Sequence, residues 1–121
     1  GKNTDASENS VVIGAGSKSV NDSGVAIGNT SCVTATTGVA IGKGTNAVGN
    51  SISIGLDSSA NQLNSIAIGN TAYITGTSGI AIGIGSCAIF LFVIIPQKAS
   101  KYIFSGILYF VCCFFLLLGN D

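Results

Sequence analysis

The 121-residue chain contains no histidine. That absence removes the general base on which the common serine and cysteine catalytic arrangements depend. A zinc site would need four distant thiolates, because Cys32, Cys87, Cys112 and Cys113 form no C-x-x-C pair. Their spacing predicts no disulfide framework, and free, mostly buried thiols are expected. Charge is equally scarce. Five lysines balance five acids, and charged residues make up 8% of the chain. So neutral a chain offers no electrostatic footprint for nucleic acid and no polybasic segment for acidic lipid. The acids Asp5, Glu8, Asp22, Asp57 and Asp121 are scattered, with no pair placed for acid–base work. The sequence therefore predicts no enzyme, no cofactor and no metal. There is one proline against 17 glycines. Without a G-X-Y period those glycines do not make collagen; they predict many tight turns. No phenylalanine occurs in residues 1–88, whereas all six lie beyond residue 89. Two different physical problems are joined near Cys87. The chain opens on Gly1 with no basic-then-apolar stretch, which fits a removed secretion signal or an internal fragment.

What is present is a repeat. The doublets Ile13-Gly14, Ile27-Gly28, Ile41-Gly42, Ile54-Gly55, Ile68-Gly69 and Ile82-Gly83 recur at steps of 14, 14, 13, 14 and 14 residues. Two residues before each isoleucine stands Val11, Val25, Val39, Ile52, Ile66 or Ile80. Four residues after it, five of the six positions hold Ser or Thr (Ser17, Ser31, Thr45, Ser58, Ser86) and the sixth holds Ala72. The consensus is small-φ-small-Ile-Gly-x-x-Ser-x-Ala, closed by polar or small residues.

A short alternating strand, a glycine turn, a shorter strand and a return turn account for about 14 residues. Helical solenoid repeats need roughly 33 to 47. The chain therefore predicts an all-β parallel solenoid over residues 10–88, with the Ile-Gly doublets in register and Gly14, Gly28, Gly42, Gly55, Gly69 and Gly83 at turns of positive φ. Ile13, Val25, Ile27, Val39, Ile41, Ile52, Ile54, Ile66, Ile68, Ile80 and Ile82 are expected to fill a narrow interior. The alanines between them (Ala26, Ala40, Ala67 and Ala81) are expected on the opposite strand face, covered by neighbouring chains. So slender a coil buries little area, and oligomerisation offsets that shortage.

The segments GVAIGNTS (24–31), GVAIGKGTNAVGNS (38–51) and NSIAIGNTAYITG (64–76) resemble the head repeat of trimeric autotransporter adhesins, the YadA-like head. The resemblance spans about residues 9–88. It implies a left-handed parallel β-roll in residues 1–88, a homotrimer, display at a bacterial outer-membrane surface, and non-catalytic attachment to host matrix proteins or cell surfaces. The varied residues in the turns after Ile-Gly, such as Asn29, Lys43, Asp57 and Asn70, are then the candidate ligand contacts. A β-solenoid segment of a phage or virus fibre is the alternative. An ice-binding solenoid needs a regular threonine array. Here Thr34-Ala35-Thr36 and Thr75-Gly76-Thr77 occur, but the intervening coils lack the pair.

Residues 89–121 depart from the repeat. The runs AIFLFVII (88–95) and IFSGILYFVCCFFLLL (103–118) flank Pro96-Gln97-Lys98-Ala99-Ser100-Lys101. As a helix the second run would be about 24 Å long, against a bilayer core of about 30 Å. Three readings remain open: membrane contact through this tail, degenerate coils that keep a faint repeat, or a non-native tail from a shifted frame. Two further motifs carry little. GVAIGKGT (38–45) misses the phosphate-binding loop, with Thr37 where Gly is required and Gly44 where Ser or Thr is required. Asn21-Asp22-Ser23 and Asn29-Thr30-Ser31 fit the common glycosylation pattern.

Overall fold

A computed structural model describes residues 1–89. The membrane, degenerate-coil and non-native readings of the apolar runs, together with Cys112 and Cys113, lie outside the described residues. Within them every element is a short strand. The three-residue strands are β2 (Val11–Ile13), β4 (Val25–Ile27), β6 (Val39–Ile41), β8 (Ile52–Ile54), β10 (Ile66–Ile68) and β12 (Ile80–Ile82). The two-residue strands are β1 (Asp5–Ala6), β3 (Lys18–Ser19), β5 (Cys32–Val33), β7 (Asn46–Ala47), β9 (Ser59–Ala60), β11 (Tyr73–Ile74) and β13 (Cys87–Ala88). They assemble into a six-stranded and a seven-stranded sheet, each ordered by coil, with every pairing parallel. The chain is a parallel β-solenoid of about six turns.

The doublets stack in register: Ile13 pairs with Ile27, Ile27 with Ile41, Ile41 with Ile54, Ile54 with Ile68 and Ile68 with Ile82. Each following glycine continues the ladder, as in Gly42 N to Ile27 O at 2.7 Å and Gly55 N to Ile41 O at 2.9 Å. The glycine is required twice over at Gly28. Its φ is 137°, and a Cβ there would lie 2.6 Å from the carbonyl carbon of Gly42 in the next coil. In five of the six coils the hydroxyl four residues after the isoleucine folds back onto that glycine. Ser17 donates to Gly14 O at 2.7 Å, Thr45 to Gly42 O at 3.1 Å and Ser86 to Gly83 O at 2.9 Å. This bond satisfies the hydroxyl inside the turn, so a column of Ser and Thr can be buried without an unmet polar group. Among the described residues no buried side-chain nitrogen or oxygen lacks a partner.

The expected orientation of the longer strands is reversed. Ala26, Ala40, Ser53 and Ala67 are fully buried, and Ala81 is 4% exposed. Ile13 is 56% exposed, Ile80 46% and Ile82 66%. Val25, Ile27, Val39, Ile41, Ile52, Ile54, Ile66 and Ile68 are only half-buried. The Val and Ile ladders thus cover the outer face, and the alanine column is the interior. The physical reason is thickness. Across the roll the alanines meet Val33, Ala47, Ala60, Ile74 and Ala88 of the shorter strands, all at 0–1% exposure. A two-strand coil leaves a gap that alanine on the longer strand and one residue of the shorter strand already fill, and overfilling it would force strain.

The interior follows a size rule within each coil. Where the shorter strand contributes alanine, the return turn ends in serine: Ala6 with Ser10, Ala47 with Ser51, Ala60 with Ser65. Where it contributes something larger, the turn ends in glycine: Ser19 with Gly24, Val33 with Gly38, Ile74 with Gly79. A Cβ at Gly38 would lie 2.8 Å from Cγ1 of Val33, and one at Gly79 2.9 Å from Cγ2 of Ile74. The same space is filled from one side or the other.

Candidate functional site

Each coil presents its side chains on four surfaces: the outer face of either sheet and the two turn edges. The turn after Ile-Gly runs up one edge as a column. Asn29, Lys43 and Asn70 occupy equivalent places in it, together with Ala15, Leu56 and Ile84. Asp57 lies one residue further on, in a second column with Gly16, Thr30, Gly44, Thr71 and Gly85, all at φ between 51° and 68°. The backbone beneath is a continuous ladder: Gly44 N donates to Asn29 O at 2.9 Å, Asp57 N to Lys43 O at 2.8 Å and Gly85 N to Asn70 O at 2.8 Å. Asn29, Lys43, Asp57 and Asn70 are all exposed. The fold therefore brings the four residues to one edge, on successive rungs about 4.8 Å apart. The column is chemically mixed, because Leu56 is 43% and Ile84 86% exposed.

This edge does not form an anion cradle. In the 38–45 segment the Gly42 and Gly44 amides donate to Ile27 O and Asn29 O, so neither is free for a phosphate. Asp57 stands over Gly44, where its carboxylate fills the place of a missing Cβ. Among the described residues no group of three or more His, Cys, Asp or Glu side chains is placed to hold a metal ion, and the ion pair present joins Lys18 Nζ to Asp5 Oδ2 at 3.7 Å on the surface. An exposed pair of this kind contributes little to stability.

The outer faces of the two sheets differ in chemistry. The longer strands present two continuous columns, Val11-Val25-Val39-Ile52-Ile66-Ile80 and Ile13-Ile27-Ile41-Ile54-Ile68-Ile82. All twelve residues are β-branched and apolar, and neither column is interrupted by charge. The shorter strands present Lys18, Cys32, Asn46, Ser59, Tyr73 and Cys87 in one column. Beside it stand Val20, Thr34, Val48, Asn61, Thr75 and Ile89. Cys32 and Cys87 are unlinked and half-buried. Burial pushes the Cys32 thiol above its ordinary range, and Lys18 on the next rung partly offsets this. A protonated thiol is a poor nucleophile.

The alternation of the strands located these surfaces but not their roles. The apolar outer face had a signal in side-chain volume: from Ala26 on, the middle column of the longer strands holds only small residues (Ala26, Ala40, Ser53, Ala67 and Ala81), as a column pressed against the shorter strands would require. No protein-family model matches the chain, and no curated protein shows significant similarity to it.

Proposed function

We propose that the chain is the head module of a trimeric surface adhesin, built for attachment and not for catalysis. The observation that carries this reading is the outer face of the longer strands. Twelve Val and Ile side chains form an apolar stripe roughly 24 Å long at about 4.8 Å per rung, on a roll whose own interior is filled mainly by alanine and serine, with Val33 and Ile74. A contiguous apolar face of that kind on a water-facing fold marks a contact surface. Three copies packed about a common axis, each turning this stripe inward, would cover it and leave the polar turns and the shorter-strand sheets outward. The resemblance of GVAIGNTS, GVAIGKGTNAVGNS and NSIAIGNTAYITG to YadA-like head repeats supports the same arrangement. It also supports display at a bacterial surface, with host matrix proteins or cell surfaces as partners.

The turn edge bearing Asn29, Lys43, Asp57 and Asn70 is then the repeated contact surface. Its side chains vary from coil to coil while the backbone beneath is held by the ladder, so recognition can change without disturbing the fold. Adhesion of the purified chain to immobilised collagen, laminin and fibronectin, and to cultured cells, tests the reading. The expected result is saturable retention on at least one of these surfaces, weakened roughly tenfold or more when Asn29, Lys43, Asp57 and Asn70 are replaced together by alanine. Absence of retention on every surface would reject the adhesin reading. Retention untouched by the fourfold replacement would reject the assignment of the edge.

A further inference from the structure

The outer face of the shorter-strand sheet carries a feature that neither the repeat nor trimer packing requires. Tyr73 is the only aromatic residue in residues 1–89. It points outward from β11, 42% exposed, while Ile74 beside it fills the interior. Ser59 lies directly opposite it on the neighbouring strand, and Asn46 opposite Ser59 on the next. Two residues along from Ser59, on the same face, stands Asn61. Its Oδ1 accepts from Asn46 Nδ2 at 2.8 Å and from Ser59 Oγ at 2.7 Å. Both lone pairs of that oxygen are thereby engaged, and the side chain is held from two rungs at once. The other amide ends, Nδ2 of Asn61 and Oδ1 of Asn46, have no partner among the described residues. Since no described buried side-chain nitrogen or oxygen lacks a partner, both are open to solvent.

We propose that this patch binds a neutral glycan, with Tyr73 as the stacking platform and the Asn46–Asn61 pair as its polar contacts. A sugar ring needs an apolar surface for its C–H face and both a donor and an acceptor for its hydroxyls. An exposed tyrosine supplies the first, with a ring that is apolar on its face and polar at its tip. The amide pair supplies one free donor and one free acceptor, fixed in place before any ligand arrives, which reduces the entropy lost on binding. Rungs about 4.8 Å apart and same-face neighbours roughly 7 Å apart along a strand set the ring and the amides side by side on a flat surface. Charge selects the class. From Cys32 to Ile89 this face has no ionisable acid or base apart from the thiols and the tyrosine, and Lys18 lies two rungs below Asn46. An acidic polysaccharide would find no cation on the patch, and an acidic or basic peptide no counter-charge. The inference does not depend on the adhesin reading, because it is tested on the purified chain without any cell or matrix.

Ligand-observed saturation-transfer NMR tests it, using the full chain with chitohexaose, cellohexaose and maltohexaose, and a hyaluronan hexasaccharide as the acidic comparison. At least one neutral oligosaccharide is expected to show transfer, and the hyaluronan none. Tyr73→Ser should weaken binding at least about tenfold, whereas Tyr73→Phe, which keeps the ring, should retain most of it. Asn61→Asp is the sharper variant. Its carboxylate still accepts from Asn46 and Ser59 but loses the outward N–H donor, so it too should weaken binding while the circular dichroism of the sheet stays unchanged. Leu56→Ser, on the turn edge, should have no effect. The proposal is overturned if no neutral oligosaccharide shows transfer. It is equally overturned if transfer survives both Tyr73→Ser and Asn61→Asp, or if hyaluronan binds as well as the neutral sugars.

Discussion

Gly28 and Gly16 both adopt positive φ, at 137° and 68°, for different reasons. Gly28 sits where an L-residue is strained and where the next coil's carbonyl occupies the position of a Cβ. Gly16 sits in the column that Thr30, Asp57 and Thr71 fill in other coils at φ of 51° to 56°, and a Cβ there would meet its nearest neighbour, Thr30 Cγ2, at 3.4 Å. Gly28→Ala should therefore destabilise the roll by about 3 kcal/mol, and Gly16→Asn by less than about 0.5 kcal/mol, read as shifts in the urea midpoint. The paired interior positions make a second residue-level prediction. Val33→Ala alone leaves a void, and Gly38→Ser alone drives a Cβ into Val33. Together they reproduce the Ala–Ser pairing of Ala47 with Ser51. A double-mutant cycle should show the pair less harmful than the sum of its members by about 1–2 kcal/mol. Strict additivity would mean that the two columns do not share one space.

At the scale of the strand, the sequence made the period, the register and the turn positions legible, because each is tied to a residue type with a backbone requirement. The Ile-Gly doublets pair in register across all six coils, as their spacing demands. What alternation could not give was which face of V-A-I turns inward. A period of two separates two faces without ranking them, and the usual preference for isoleucine inside over alanine fails here because the roll holds a large side chain only where a neighbouring position shrinks, as Ile74 is held beside Gly79. Tyr73, Asn61 and Asn46 were illegible for another reason. They lie in different coils and become neighbours only through stacking. Parity remains the constraint on each strand. Inserting one residue between Val39 and Ala40 would turn isoleucine inward and alanine outward from that point in β6, and circular dichroism should show loss of the parallel sheet. One extra residue at Gly49-Asn50 should be tolerated. The return turn there has three residues between Ala47 and Ser51, whereas the turn between Val33 and Gly38 has four.

For the whole molecule, the outward Val and Ile columns are the dominant physical fact. An isolated roll would hold Ile13, Ile80 and Ile82 at 46–66% exposure next to eight half-buried Val and Ile side chains. Each such side chain is worth about 1.5–3 kcal/mol on complete burial, so even partial cover along the stripe favours assembly strongly. The outer face of the shorter-strand sheet lies across the roll from that stripe. Sedimentation equilibrium of the chain and of its Ile41→Asp/Ile54→Asp variant tests whether this stripe holds three copies together, because both substitutions lie on the outer face and leave the alanine column intact. The expected masses are three chains for the parent and one chain for the variant, each with the circular dichroism of a β-sheet. A parent that sediments as a single folded chain, or a variant that keeps the mass of three, would contradict it.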